Sequence, residues 1–223
     1  MQLNSCTSIG ITFIFTLLWF NKYYFVKKLL FEIYKNENVI KNFIHIINAI
    51  LTIFWSITNL FNDYLFILFF IAFYVFDIIY IFVNLEIKKN ISNLLHHIFA
   101  IICSLIPLFY NNFIDQYKEL GFMLEFSNLP LYLNYHFHKV YPNNKKLLQY
   151  STLIQLLVYG YFRIIAFGMY FYYKMFIYKL DNAFVFILYI STISIYLMGI
   201  AWSYKLFVKV KNILLSNDSN KNN

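Results

Sequence analysis

The chain has few charged residues for its size. Asp, Glu, Lys and Arg together make up 13% of the 223 residues, whereas hydrophobic residues make up 61%. Soluble domains are about a quarter charged and about half apolar. The excess apolar surface is too large to be hidden in a core of this size, and it requires lipid as its solvent. The composition therefore excludes a soluble domain and predicts an all-α integral membrane protein.

Several patterns that define other protein classes are absent from the sequence. The two cysteines, Cys6 and Cys103, form no disulfide framework. Neither a His-Glu-x-x-His motif nor a clustered Cys/His spacing occurs, so we expect no metal site. No internal repeat is evident, which removes support for an inverted-repeat transporter. Residues 1–8 carry no Lys or Arg, unlike a secretory signal peptide, so the first apolar run is interpreted as a retained membrane helix.

Long apolar runs are the most prominent feature that is present. About 20 mostly apolar residues suffice to span a bilayer as a helix, and seven runs approach or exceed that length. They cover residues 9–25, 43–61, 64–83, 94–110, 120–137, 148–172 and 183–207. The fifth run carries more polar residues than most of the others, and a re-entrant segment is an alternative there. We therefore expect about seven transmembrane helices.

The lysines indicate how these helices are oriented. With seven spans, all lysines except Lys118, Lys174 and Lys179 fall on one side of the membrane. Cytoplasmic loops are enriched in Lys and Arg, so we expect the N-terminus outside the cytosol and the C-terminus inside it. The net charge of +8 is distributed beside apolar runs rather than in a compact patch, so we expect no nucleic-acid partner.

The ionisable residues singled out inside predicted spans are Asp77, His96, His97, Glu125 and Arg163, with His45 as a weaker case. Such residues are costly in lipid, normally face the interior of the helix bundle and mark functional sites. Asp77 is expected to have a partner, either a histidine of the pair or Arg163. Arg163 is the only arginine, and it could bind a phosphate or carboxylate headgroup or form a structural ion pair.

The adjacent histidines His96 and His97 suit proton transfer, because imidazole gains and loses a proton near neutral pH. Two neighbours on a helix point about 100° apart, so both can line one broad cavity but cannot easily share a ligand. The alternative is that they cap the helix entrance and touch lipid headgroups. Trp202 and Lys205, near the end of the last run, are interpreted as interfacial anchors.

Polar residues also line one face of the fifth run. Glu125 and Asn128 are three residues apart and therefore lie on the same side of a helix. Pro130 is expected to kink that helix, and Asn134 follows one turn later. Such a kink builds a polar pocket at membrane depth. Function is the favoured interpretation for Glu125, whereas interhelical packing is favoured for Asn134.

In their order along the chain, these residues resemble the TLC domain family, which includes the ceramide synthases and translocon-associated homologues. The resemblance covers residues 41–211 and implies six helices around a lipid-accessible cavity, with one further helix. Its elements are an Asp in an aromatic span (Asp77), a His-His pair (His96 and His97), Glu-x-Ser-x-x-Pro with a later Asn (Glu125 to Asn134), Phe-Arg (Arg163) and a terminal Trp (Trp202).

The resemblance also implies roles for individual residues. The paired histidines are catalytic in ceramide synthases, so His96 and His97 are assigned as catalytic together with Asp77 and Glu125. Lipid binding is assigned to Arg163, Asn128 and Asn134. Ceramide synthases have two aspartates three apart where this chain has Glu125 and Asn128. The Glu-Phe-Ser-Asn sequence at this position resembles the Glu-x-Ser-Thr-Pro pattern of the TLC domain-containing (TLCD) subgroup more closely than the pattern of the ceramide synthases.

Three functions remain open from the sequence. The first is acyl transfer to a lipid amine or hydroxyl, with no resident cofactor and acyl-CoA as a possible co-substrate. The second is a non-enzymatic protein of lipid homeostasis that binds, senses or moves membrane lipids. The third, a small-solute carrier or receptor, has the least support. The resemblance implies the endoplasmic reticulum or a related endomembrane.

The chain is divided into three parts on this basis. Residues 1–40 are expected to form an N-terminal transmembrane helix and a basic cytosolic loop. Residues 41–211 form the TLC-like membrane domain. Residues 212–223 are polar and low in complexity, and we expect them to be disordered.

Overall fold

The structure is a computed structural model that describes residues 5–58, 60–85, 87–110, 113–177 and 183–219. Within these residues the secondary structure is helical, with no strand. The helices are α1 (Ser5–Tyr34), α2 (Glu37–Ile57), α3 (Asp63–Val83), α4 (Ile87–Phe109), α5 (Ile114–Val140), α6 (Lys145–Gly160), a π-helical segment (Tyr161–Ala166), α7 (Phe167–Ile177) and α8 (Ala183–Ser219). The prediction of an all-α fold is confirmed.

Six of the described helical segments are long and apolar enough to cross a membrane. One of them joins α6, the π-helical segment and α7 into a single span. The helix outside this set is α5, which corresponds to the polar fifth run. It is a single helix of 27 residues, about 40 Å long, without the chain reversal that a re-entrant segment needs. Because of its polar residues, α5 is too hydrophilic to be identified as a membrane span from its composition alone.

The helices form a ring of six with one additional helix. Around the ring, α3 packs on α4, α4 on α8, α8 on α6, α6 on α5 and α5 on α2. Side-chain contacts link α2 to α3, including the stacked Trp55 and Phe66 rings and a 3.0 Å hydrogen bond from Trp55 Nε1 to Asp63 Oδ1. The helix α1 packs against α3 and α2. This arrangement agrees with the six-plus-one architecture that the family resemblance implies.

Aromatic side chains attach α1 to the ring. Trp19 is fully buried between Phe69 and Phe73, with ring centroids 4.8 and 5.0 Å away. Tyr23 lies one turn further on and contacts the Tyr80 ring at 5.3 Å. Trp19 Nε1 also donates to the Phe69 carbonyl oxygen at 3.3 Å, so aromatic packing and a hydrogen bond together hold α1 on α3.

Asparagine residues determine where three of the helices begin. The side-chain oxygen of Asn36 accepts from the backbone N–H groups of Asn38 and Val39, at 3.0 and 3.4 Å. Asn62 caps α3 and Asn144 caps α6 in the same way, each at 3.1 Å. Such caps satisfy backbone donors that a helix N-terminus otherwise leaves unpaired.

Two segments differ from the sequence-based expectation. The basic loop predicted near residues 26–40 is mostly helical, because α1 continues to Tyr34 and only two residues separate it from α2. The left-handed conformation of Lys35, with φ of 48°, makes this tight reversal. In the predicted disordered tail, the backbone of residues 212–219 continues α8, since no Pro or Gly interrupts it. Residues 220–223 lie outside the described residues.

Candidate functional site

The carboxylate of Asp77 lies at the centre of a buried polar cluster. Asp77 is 2% exposed, and its Oδ2 is 2.6 Å from Nε2 of His97 on α4. Its Oδ1 is 2.8 Å from Nζ of Lys41 and 3.5 Å from Nε2 of His45, both on α2. Of the partners expected for Asp77, the structure selects His97 of the histidine pair and not Arg163. Lys41 and His45 are additional partners that sequence reasoning missed.

The register of the α2–α3 hairpin explains why Lys41 and His45 reach Asp77. Asp77 lies 14 residues after the start of α3 at Asp63, and Lys41 lies 16 residues before the end of α2 at Ile57. In an antiparallel helical hairpin, residues at similar distances from the turn lie at the same depth. The register of the hairpin could therefore have predicted the contact between Lys41 and Asp77. Lys41 was instead grouped with the lysines that flank the membrane.

The two histidines have different surroundings, as their positions on the helix require. His97 is buried at 7% exposure and is oriented by Asp77 through Nε2, while its Nδ1 has no hydrogen-bond partner among the described residues. His96 has no carboxylate contact, and its ring lies edge-on to Trp202 of α8 at 5.6 Å. Trp202 therefore points into the bundle beside the histidine pair. Its interpretation as an interfacial anchor was incomplete.

These side chains face a common cavity of about 550 Å³. Pockets of roughly 300–1,000 Å³ are typical for small-molecule ligands. Five residues predicted from the sequence to form the site line this cavity: Asp77, His96, His97, Glu125 and Asn128. Tyrosines, Phe73 and Leu131 supply an apolar part of the wall. The structure thus brings together residues from α3, α4 and α5 that are up to about 50 positions apart in the sequence.

Arg163 occupies the π-helical segment next to this cavity. Its side chain is 2% exposed and donates from Nε to Ser127 Oγ and from Nη2 to Asn128 Oδ1, both at 2.9 Å. Nη1 has no hydrogen-bond partner among the described residues. On α8, Gly199 lies against it, and a Cβ there would make an ordinary contact of 3.5 Å with the Arg163 Cβ. π-Helical turns occur frequently at functional sites, and this one holds the only arginine of the chain.

Asn128 links the arginine to the carboxylate of Glu125. While its Oδ1 accepts from Arg163, its Nδ2 donates to Glu125 Oε2 at 3.3 Å. Glu125 is 6% exposed and also lines the cavity. Within the part of the chain that the structure describes, no carboxylate forms a direct ion pair with Arg163. The positive charge of Arg163 is therefore connected to the cavity through a neutral amide.

Asn134 does not join this cavity. Its side chain contacts Gln155 on α6 and accepts from Ser151 Oγ at 2.7 Å and from Thr152 Oγ1 at 3.3 Å. Asn134 lies six residues before the end of α5, and Ser151 lies six residues after the start of α6. These contacts join two neighbouring helices across a short turn, which favours a packing role, and the assignment of Asn134 to lipid binding stays a prediction.

A smaller, mainly apolar pocket adjoins the histidine cavity inside the bundle. It has a volume of about 40 Å³ and shares Tyr74 and Glu125 with the large cavity. Its remaining wall is mainly apolar and includes Trp55, Phe70 and Phe167. In the described residues, no group of three His, Cys, Asp or Glu side chains is arranged to hold a metal ion.

A helical ring with an ionisable, partly apolar cavity defines a multi-pass membrane protein, and the sequence comparison identifies its family. The TLC domain matches residues 61–208, well over half of the chain. The chain therefore belongs to the TLC domain family, which gives it a lipid-related role. No curated protein and no solved structure matches the chain. The match begins after α2, although Lys41 and His45 of that helix contact Asp77.

Proposed function

We propose that the chain transfers an acyl group to the amine or hydroxyl of a membrane lipid, with His97 as the general base. The observation that carries this proposal is the 2.6 Å hydrogen bond between Asp77 and His97. If the Nε2–H group of a neutral His97 donates a hydrogen bond to Asp77, the imidazole keeps a free lone pair on Nδ1. That nitrogen has no partner among the described residues, and its residue lines the cavity.

The reaction balances with an acyl thioester such as acyl-CoA as the donor. The lipid amine or hydroxyl attacks the thioester carbonyl, and its proton passes to Nδ1 of His97. A carbon–nitrogen or carbon–oxygen bond forms, the carbon–sulfur bond breaks, and the departing thiolate recovers the proton. Asp77 orients the ring and stabilises the imidazolium while it exists. The small apolar pocket that starts at Tyr74 and Glu125 supports this proposal, since it suits the first atoms of an acyl chain.

Lys41 keeps the orienting carboxylate ionised in this proposal. A buried carboxylate without a cation is costly and tends to take up a proton. The 2.8 Å ion pair with Lys41 supplies the cation, so His97 does not need to be positively charged to balance Asp77. The imidazole then stays available as a base.

Glu125 positions the acceptor lipid on the opposite wall of the cavity. Its carboxylate can accept a hydrogen bond from an amine or hydroxyl, and Asn128 holds it in place. Arg163 provides positive charge behind this pair. His96 faces Trp202 rather than a carboxylate, which favours a contact with lipid over base catalysis.

The cavity walls also support the proposed orientation. Lys41 and Lys139 line the cavity, and both belong to the lysine-rich ends of the helices. Such ends are typically cytosolic, so the cavity lies near the cytosolic leaflet, where acyl-CoA is available. An endoplasmic-reticulum location and membership of the TLCD subgroup are part of this proposal.

Binding or transport of lipid without chemistry is the second candidate function. It is favoured by one observation, the buried Arg163 whose Nη1 has no partner among the described residues. A guanidinium with free donors suits a phosphate or carboxylate headgroup. In that case the Asp77 cluster has only a structural role.

A lipidome comparison separates the two functions. The wild type and the variants His97→Ala, Asp77→Asn and Arg163→Ala are expressed at equal membrane levels, and acyl-lipid species are measured by mass spectrometry. The matched control is His136→Ala, because His136 packs against Tyr34 and Phe43 away from the cavity. Acyl transfer predicts that the lipid change is lost in His97→Ala and Asp77→Asn but kept in the control. A change that survives both and disappears in Arg163→Ala indicates lipid binding instead.

A further inference from the structure

A second groove is lined by residues of α5, α6 and α8 and by Asn93 of α4. Its volume is about 500 Å³, and it shares Trp202, Leu131, Asn93 and Tyr135 with the histidine cavity. None of the residues assigned to the proposed base chemistry lines it. The groove therefore needs an explanation of its own.

The charges lining this groove have one sign. Lys205 and Lys209 are four residues apart on α8, so both project from the same face of the helix. No Asp or Glu is among the lining residues, and within the described chain neither lysine has an acidic ion-pair partner. Nζ of Lys209 is instead 3.0 Å from Nε2 of His138. By contrast, the histidine cavity balances its lysines with Asp77 and Glu125.

A buried hydroxyl supplies a second, independent observation. Tyr159 lines the groove and is 2% exposed, yet its hydroxyl has no hydrogen-bond partner among the described residues. Buried polar groups are normally paired, so an unpaired one calls for an explanation. An oxygen atom of a ligand in the groove would pair this hydroxyl.

The surroundings of the groove indicate a ligand that is partly embedded in the membrane. Apolar side chains form part of its wall, namely Leu131 on α5 and Trp202 and Leu206 on α8. Acyl chains can lie along these side chains while a headgroup reaches the lysines. A fully soluble anion gains nothing from this apolar border.

We propose that this groove binds the phosphate headgroup of an anionic phospholipid from the surrounding leaflet. Lys205 and Lys209 hold the phosphate, and the Tyr159 hydroxyl donates to an oxygen of the headgroup or the glycerol ester. The site is independent of the proposed acyl transfer. Because Trp202 contacts His96 on one side and lines the groove on the other, an occupied groove also supports the wall of the histidine cavity.

The test uses the full-length protein in lipid nanodiscs of phosphatidylcholine, with or without phosphatidylglycerol. Phosphatidylglycerol binding is measured by native mass spectrometry and by the shift in the thermal unfolding midpoint. The variant is Lys205→Gln/Lys209→Gln, and the matched control is Lys145→Gln/Lys146→Gln, which removes two exposed lysines outside the groove. We expect the groove variant to lose about thirtyfold in affinity, and the control to keep the wild-type affinity.

Tyr159→Phe is a second test that does not change charge. Without anionic lipid, this variant is expected to be at least as stable as the wild type, because it removes an unpaired buried hydroxyl. With phosphatidylglycerol, it is expected to gain less stability than the wild type, at about fivefold weaker binding. Equal lipid gains in the two proteins would overturn the role of Tyr159.

Three outcomes would overturn the site. One is equal loss of binding in the groove variant and in the control, which indicates general attraction to the basic surface. Another is retention of full affinity by the groove variant. A third is displacement of the lipid by glycerol phosphate in solution, which indicates a soluble phosphate ligand. Asp77→Asn is expected to leave binding unchanged, so failure of the acyl-transfer proposal does not affect this result.

Discussion

Lys41→Met tests whether the cation beside Asp77 stabilises the protein. The substitution keeps the length of the side chain and removes the charge that lies 2.8 Å from Oδ1. Breaking a buried ion pair from one side typically costs about 3–5 kcal/mol, because the remaining charge is left uncompensated. Here His45 and His97 also approach the carboxylate, and either can take up a proton to replace the lost cation. We therefore expect the lower end of that range, about 3 kcal/mol in the free energy of unfolding.

The double variant Lys41→Met/Asp77→Asn makes this expectation specific. With both charges removed, most of the loss should be recovered, since an asparagine is much less costly to bury than an unpaired carboxylate. The measurement is unfolding of the purified protein in detergent by thermal scan and by denaturant. The matched control is Lys139→Met, another lysine of the cavity, which lies over the Tyr135 ring. Its expected change is within about 0.5 kcal/mol.

Two results would refute the reasoning about Lys41. If Lys41→Met is no less stable than Lys139→Met, the ion pair does not contribute to folding. If the double variant shows the sum of the single losses, the two charges are not coupled. A third measurement addresses function, because the proposal requires Lys41→Met to reduce any acyl-transfer activity even at temperatures where the variant remains folded.

Variants at three further positions probe the rest of the polar network. Gly199→Leu should displace Arg163 and abolish function. Gly199→Ala should be tolerated, because its Cβ makes only an ordinary 3.5 Å contact with the Arg163 Cβ. Both variants are checked by measuring their activity and their thermal unfolding. Asn128→Leu disconnects Arg163 from Glu125 and should lower the free energy of unfolding by about 2–3 kcal/mol. An unchanged midpoint of thermal unfolding would contradict the bridging role of Asn128. Asn134→Leu should lower the free energy of unfolding by about 1–3 kcal/mol. Cells that express this variant at the wild-type level should have an unchanged lipid profile. A change in specific lipids would contradict the packing role of Asn134.

The helical ring could largely be predicted from the sequence. Apolar runs of about 20 residues are sufficient to predict spanning helices, because the bilayer leaves backbone groups no partner outside the helix. The polar run of residues 120–137 was the uncertain case, and its hydropathy still separates α5 from the other spans. The extension of α1 into the predicted basic loop was missed, because lysines are compatible with both a helix and a loop.

The location of the candidate site was also accessible from sequence. Ionisable residues inside apolar runs are rare and expensive, so Asp77, His97 and Glu125 could be selected one by one. That they face the interior of the bundle also follows from their cost in lipid, whereas the shape of the cavity around them was implied only by the family resemblance. Their functional roles stay predictions until the variants are measured.

The pairing within the site was decided by the tertiary structure. Residue types alone made Arg163 as reasonable a partner for Asp77 as a histidine, yet Arg163 faces Ser127 and Asn128 while Lys41 takes its place. Composition and periodicity specify which residues must avoid lipid, because that cost depends only on residue type and depth. Which buried charges meet depends on helix register and rotation, and these are set by packing between segments distant in the chain.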